Sequence, residues 1–304
     1  MAPDYLKQGD TIGIVAPSRK ISAAELRPAV DFFTEQGFKV LLGEHIFSEN
    51  NQFAGTEAER AADMQAMLDN PQVKAILAAR GGYGAVRVID RLDFRSFCQS
   101  PKWLCGYSDF TVFHEHVHAC FNVPTLHSTM PVNMQAMDGV ALKNAMEMVA
   151  ALKGETLRVE TQPHCLNRAG DARAEIVGGN LSMLYSLTGS KSDICTEGKI
   201  LFIEDLDEYL YHIDRMMMNL KRNGKLEKLA ALVVGGLSDM HDNTVPYGKT
   251  AEEIVSEHCA EYDYPICFNF PAGHIKQNLP MRFGMTMDLH FNAAENNFVA
   301  VQVG

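Results

Sequence analysis

The chain has 304 residues, enough for one large domain or two of ordinary size, and is 46% hydrophobic and 21% charged, as soluble globular proteins are. A formal net charge of −11 disfavours nucleic acid and anionic membranes as partners, since both recruit basic clusters. No early segment has the layout of a secretory leader and no apolar run nears the ~18 residues of a spanning helix, so the chain reads as soluble and cytoplasmic.

Residues 11–17, TIGIVAP, form a short β-branched apolar run closed by proline, the pattern of a buried strand. Ser22 and Glu25 then make a capping box ahead of a helical stretch closed by Gly37. KVLLG (39–43) reads as a second strand, EAERAADMQAMLDN (57–70) as a second helix, and VKAILAA (73–79) as a third strand. The third strand opens straight into Arg80-Gly81-Gly82-Tyr83-Gly84, whose glycines let a backbone approach a ligand closely. That loop lacks both the Walker lysine and the G-x-G-x-x-G spacing of nucleotide sites. KWLCG (102–106) is a fourth strand, with Cys105 a small buried member. Strands separated by helices imply a parallel sheet with both faces covered.

Residues 154–173 are polar and without sustained period, which suggests a linker or irregular crossover between units spanning 1–153 and 174–304. The second unit runs through AEIVGGNLSMLYSLTG, the strand KILFIED (199–205), a helix over 209–224 and the strand AALVVGG (230–236). Residues 267–292 and 296–303 alternate in the β manner. GGLSDMHDN (235–243) carries metal-capable side chains but reads more simply as a polar loop. Seven single cysteines, with no C-x-x-C pair, fit reduced thiols rather than a disulfide framework.

Two chemical signatures adjoin in GYSDFTVFHEHVH (106–118). His114-Glu115-x-x-His118 matches the zinc peptidase pattern, which on a helix puts both imidazoles on one face. A catalytic zinc needs a third protein ligand, and the positions of the extended motif hold Phe121 and Pro124 instead; Asp138 and His127 are weak substitutes. The plainer reading places the three histidines on the polar flank of a surface helix. Ser108, by contrast, follows an apolar strand and a tight turn and precedes a helix, the setting that exposes a nucleophile at the carboxyl end of a parallel sheet. The Asp109 N–H at the helix start would face an oxyanion. Phe110 stands where the G-x-S-x-G elbow has its second glycine, and Ser108-Asp109 could equally serve as a helix cap.

A serine needs a base, and the base an orienting group. KILFIED delivers Glu204 and Asp205 at its carboxyl end. His274 lies in a Pro- and Gly-punctuated loop between strands, a common address for catalytic groups. His127 is its main rival, while His45, His212, His241 and His258 fit the surface better.

In order along the chain, GDTIGIVAPS, ARGGYGAVRVID, GYSDFT, VGGNLSMLYSLTGS, LFIEDLDEYLYHIDRMM, ALVVGGLSD and FPAGHIKQNLPMRFG resemble the LD-carboxypeptidase (muramoyltetrapeptide carboxypeptidase) family, which includes the microcin C immunity peptidases. The resemblance implies an α/β protein: an N-terminal parallel-sheet domain of Rossmann or flavodoxin type with the nucleophile, and a C-terminal β-rich, barrel-like domain with the other triad members. It implies Ser108, Glu204 and His274 as the triad, with no metal and no cofactor. It places oxyanion donors at Asp109 and Gly82, and substrate contacts at Arg80, Tyr83 and Asn180. The implied substrate is a muropeptide tetrapeptide or small peptide that loses its terminal D-alanine, and the implied assembly is a homodimer. The microcin-type amide hydrolase is the runner-up. It would call for an aromatic-bearing loop, whereas the only tryptophan, Trp103, lies in a strand. A non-catalytic binding protein and a zinc peptidase are the readings from other classes.

Overall fold

The apolar run TIGIV becomes β1 (Thr11–Val15), buried along nearly its whole length. In the computed structural model, which describes residues 2–304, the following units alternate as the pattern requires: α1 (Ala23–Glu35), β2 (Lys39–Leu42), α2 (Glu57–Asp69), β3 (Val73–Ala78) and the short α3 (Arg95–Gln99). β4 (Trp103–Gly106), α4 (Thr111–Phe121), β5 (Thr125–His127) and α5 (Gly139–Leu152) complete the first half. Both sides of the Ser22–Glu25 capping box form, and Thr56–Glu59 makes a second box at α2. Strands β2, β1, β3, β4 and β5 pair in parallel in that order, with apolar clusters on both faces.

The second half begins with β6 (Leu157–Glu160), β7 (Ala172–Asn180) and α6 (Leu181–Leu187), followed by β8 (Ile200–Leu206), α7 (Leu210–Arg222) and β9 (Ala231–Ser238). It ends with α8 (Ala251–His258), β10 (Ile266–Cys267), β11 (Met281–Phe283), β12 (Thr286–Asn292) and β13 (Asn297–Gln302). Its seven-stranded sheet has the order β10-β9-β8-β7-β12-β13-β6, parallel from β10 to β7 and antiparallel from there on. Among the described residues no helix is long and apolar enough to cross a membrane.

The structure departs from the sequence reading in three places. The polar stretch 154–173 is not irregular throughout: it holds β6, which pairs with β13, and the first residues of β7. Within 267–292, residues 268–280 form a loop rather than strand. β11 leaves its own half and pairs antiparallel with β5 as the edge of the first sheet. A three-residue strand is too short to announce itself by alternation.

β11 is also where a charge is buried. Arg282 is 0% exposed. Its guanidinium donates to the Ala151 carbonyl at the end of α5 (2.9 and 3.1 Å) and to that of Glu155 (2.7 Å). A planar cation at a helix C-terminus satisfies carbonyls that the helix leaves unpaired. Arg282→Ala should lower the free energy of unfolding by about 3 kcal/mol, read by urea titration, and Arg282→Lys should restore only part of it.

Candidate functional site

The turn after β4 presents one partly exposed hydroxyl, that of Ser108. Gly106 must be glycine, because a Cβ there would come within 2.9 Å of the Phe110 ring. Tyr107 continues extended, and Ser108 then adopts a left-handed backbone, φ +64°. For a non-glycine residue this costs on the order of 1–2 kcal/mol, so neighbours have to enforce it. A one-turn 3₁₀ segment, Ser108–Phe110, leads into α4, and the Asp109 N–H sits in the first turn, where helical N–H groups have no partner along the chain.

Three braces hold the turn. His114, one turn into α4, is 1% exposed; its Nε2 donates to the Gly106 carbonyl (3.0 Å), and the Thr125 hydroxyl donates to its Nδ1 (2.8 Å). The Asp109 carboxylate accepts from Ser18 Oγ in the loop after β1 (2.5 Å) and from the Ala85 N–H (2.8 Å), which ties the 80–84 loop to the turn. Thr111 Oγ1 accepts from the Asn180 N–H at the end of β7 (3.0 Å). Gly179 permits that approach, since a Cβ there would lie 2.5 Å from the same oxygen.

Ser108, His274 and Glu204, drawn from three distant segments, form one hydrogen-bonded chain. The Ser108 hydroxyl donates to His274 Nε2 (3.0 Å), and His274 Nδ1 donates to Glu204 Oε2 (2.6 Å). The carboxylate takes the proton-bearing nitrogen and so leaves Nε2 free to accept from the Ser108 hydroxyl. The His274 N–H also donates to Glu204 Oε2 (3.1 Å). Only glycine at 273 allows this, because a Cβ would sit 2.6 Å from that oxygen. Asn278 Oδ1 accepts from the Gly273 N–H (2.9 Å) and faces His127 Nε2 (3.2 Å), which locks the loop from behind.

Burial lowers the basicity of His274, but the Glu204 charge and hydrogen bond outweigh it, and its pKa lies above the ordinary 6.5. Burial likewise pushes Glu204 up, yet the His274 charge and its hydrogen bonds hold the carboxyl below 4.5. The rival His127 is fully buried, and that burial pushes it down to about 4. It braces the loop through Asn278, while the Ser108 hydroxyl bonds His274 instead.

The hydroxyl opens into a cleft of about 380 Å³ whose lining includes Arg19, Arg80, Gly81, Gly82, Asp207 and Glu208. Gly81 packs on Ser108, since a Cβ there would touch Ser108 Cβ at 2.9 Å. Gly82, at φ +110°, lies under the Arg19 side chain. Arg80 faces the cleft while pairing with Glu25 at 3.4 Å. Tyr83 does not line the cleft; its ring leans on Phe53. Asn180 is 4% exposed and lies behind Glu204, where its Nδ2 donates to Asp205 (2.9 Å). Sequence reasoning missed Arg19, Asp207, Glu208 and Asn278. The first three are ordinary charged residues in loops, and nothing local marks them as cleft residues. A larger depression of about 710 Å³ lies against His116, Cys120 and Phe121 and shares no residue with this cleft.

The histidine triplet is not a surface feature. His114, His116 and His118 are 1%, 5% and 9% exposed. His118 Nε2 lies 3.0 Å from Glu175 and 2.8 Å from Lys199, so it bridges α4 to the second half. Both nitrogens of His114 are used by Thr125 and Gly106, and Glu115 is a buried carboxyl that burial pushes well up. The imidazoles are spent on packing and bracing. His258, also expected at the surface, is 6% exposed and pairs with Asp214.

Burial pushes His114 down to about 3 and His127 to about 4. Both bind a proton near pH 6.5 once unfolded, so stability is present above that value and is lost as the pH falls from 6.5 toward 4. Urea unfolding should show about 2 kcal/mol lost per histidine between pH 6.5 and 5, and His127→Gln should flatten the slope.

Comparison with known proteins agrees with this architecture. Residues 12–128 match the LD-carboxypeptidase N-terminal domain, and residues 173–289 match the LD-carboxypeptidase C-terminal domain. The chain is 34% identical over 303 residues to a probable murein peptide carboxypeptidase of Bacillus subtilis, covering 98% of this chain and 93% of that protein. It is 24% identical to the microcin C7 self-immunity protein MccF of Escherichia coli, covering 94% and 92%. The crystal structure of muramoyltetrapeptide carboxypeptidase from Oxalobacter formigenes superposes with a TM-score of 0.87 at 26% identity, covering 97% of this chain and 98% of that one. The chain therefore belongs to the LD-carboxypeptidase family of peptidases, and its two halves carry that family's N- and C-terminal domains in order.

Proposed function

We propose that this protein is a serine-type LD-carboxypeptidase that releases the terminal D-alanine from murein tetrapeptides through an acyl-enzyme. The observation that carries the reading is the unbroken Ser108–His274–Glu204 hydrogen-bond chain opening into a cleft with two arginines. His274 Nε2 takes the Ser108 proton as Oγ attacks the carbonyl of the L-centre, and Glu204 holds the imidazolium that forms. The N–H groups of Asp109 and Gly82 bind the tetrahedral oxyanion. Collapse passes the proton from His274 to the departing D-alanine amine, and a water activated by the same imidazole then hydrolyses the ester.

A carboxypeptidase has to recognise a free carboxylate. Arg19 and Arg80 supply positive charge in the cleft for it. Asp207 and Glu208 line the same cleft and suit the ammonium of a diamino-acid side chain. Trp103 is 1% exposed, with its indole donating to the Asp4 carbonyl, and so offers no stacking surface for a nucleotide base. This favours the muropeptide over a microcin-type substrate.

On murein tetrapeptide, Ser108→Ala and His274→Ala should each lower kcat by a factor on the order of 10³ or more with KM little changed. Because His274 acts as a base only when neutral, kcat/KM should fall as the pH drops through a value above 6.5. Chelator should leave the rate unchanged. A chelator-sensitive rate that survives Ser108→Ala would contradict the mechanism.

A further inference from the structure

Behind the triad lies a second buried carboxylate that the mechanism above does not use. Asp205 is 1% exposed and follows Glu204 directly on β8, at a shift in the register with β9. Its Oδ1 accepts from Asn180 Nδ2 and from the Leu206 N–H, both at 2.9 Å, and its Oδ2 accepts from the Ser182 N–H at 2.8 Å. All three partners are donors, and these hydrogen bonds favour the anion against its burial.

Asn180 is the shared element. It lies opposite Glu204 in the parallel β7–β8 register. The amide that donates to Asp205 also reaches Glu204 Oε1 at 3.4 Å, while its backbone N–H holds Thr111 on the nucleophile's helix. One side chain thus connects both carboxylates to the turn that carries Ser108.

We propose that Asp205 is a positioning residue of the triad: it holds Glu204 in place through Asn180 and adds a second negative charge behind the His274 imidazolium. The inference rests on the proposed serine mechanism for its catalytic consequence, but not for its electrostatic one. Burial and the Glu204 charge push the Asp205 carboxyl up to about 7, while its three donors act in the opposite direction. Glu204 lies beneath His274, with Tyr107 and His127 nearby. Arg19, Arg80, Asp207 and Glu208 line the cleft that His274 faces. Among the acidic groups, Glu204 and Asp205 are the two whose charges raise the His274 pKa.

The test is a ¹H–¹⁵N titration of His274 in the full-length wild type and in Asp205→Asn. The midpoint should move to lower pH in the variant, and an unmoved midpoint would overturn the electrostatic part. Asp205→Ser, smaller but still able to accept one N–H, gives the same reading should Asp205→Asn fail to fold. On murein tetrapeptide the acid limb of kcat/KM should move with the titration. Asp205→Ala should lower kcat by about tenfold to a hundredfold with KM within about twofold. A raised KM with unchanged kcat would mark Asp205 as a substrate contact and overturn the positioning role. If wild type does not cleave the tetrapeptide, the proposed function falls, and the titration still decides Asp205.

Discussion

A carboxylate with no solvent exposure stands at the end of β8, and the site is organised around keeping it charged. Burying an ionised group without compensation costs several kcal/mol, so Glu204 has to find hydrogen bonds and a counter-charge in the protein. It takes both N–H groups of His274, backbone and ring, on a single oxygen. That double engagement fixes the imidazole's tautomer and direction together. The loop that carries the histidine can come so close only because Gly273 has no side chain. The basicity of the Ser108 partner therefore follows from a constraint on burial.

The Ser108 turn likewise relies on contacts from outside itself, most from the first half and one, through Asn180, from the second. A left-handed Ser108 is strained, and the strain is held by Ser18 just beyond β1, by β5, the 80–85 loop and β7, together with His114 of α4. Each of those contacts involves a polar group with almost no exposure, Asp109, His114 or Thr111. Between the halves, β11 completes the first sheet, and the His118–Glu175–Lys199 cluster ties α4 to the second. The Ser108–His274–Glu204 chain spans the junction, so its geometry is only as firm as these contacts.

Much of this was legible in the sequence. Short β-branched apolar runs such as TIGIV and VKAIL, alternating with helical stretches, read as buried parallel strands, and the seven motifs in order brought Ser108, Glu204 and His274 to attention; the structure puts those three in one hydrogen-bonded chain. Less was legible where the signal is short or purely spatial. β5, β6 and β11 have three or four residues each, too few for a period. The α4 histidines read as polar surface residues in the sequence, but polarity does not report burial when each imidazole finds a partner elsewhere in the fold. Asn180 was expected to touch substrate, yet it faces inward, toward two carboxylates that only tertiary structure brings to it. Arg19 lies far from Ser108 in sequence, and no local pattern links the two.

The central claim is that Ser108 is the nucleophile and that His274, held by Glu204, activates it. Mass spectrometric mapping after reaction with a fluorophosphonate tests it most directly, because the reagent reports an activated serine without requiring the natural substrate. The account predicts a single adduct on Ser108, formed rapidly in the wild type and at least a hundredfold more slowly in His274→Ala. An adduct on another residue, or labelling of Ser108 at an unchanged rate in His274→Ala, would contradict it.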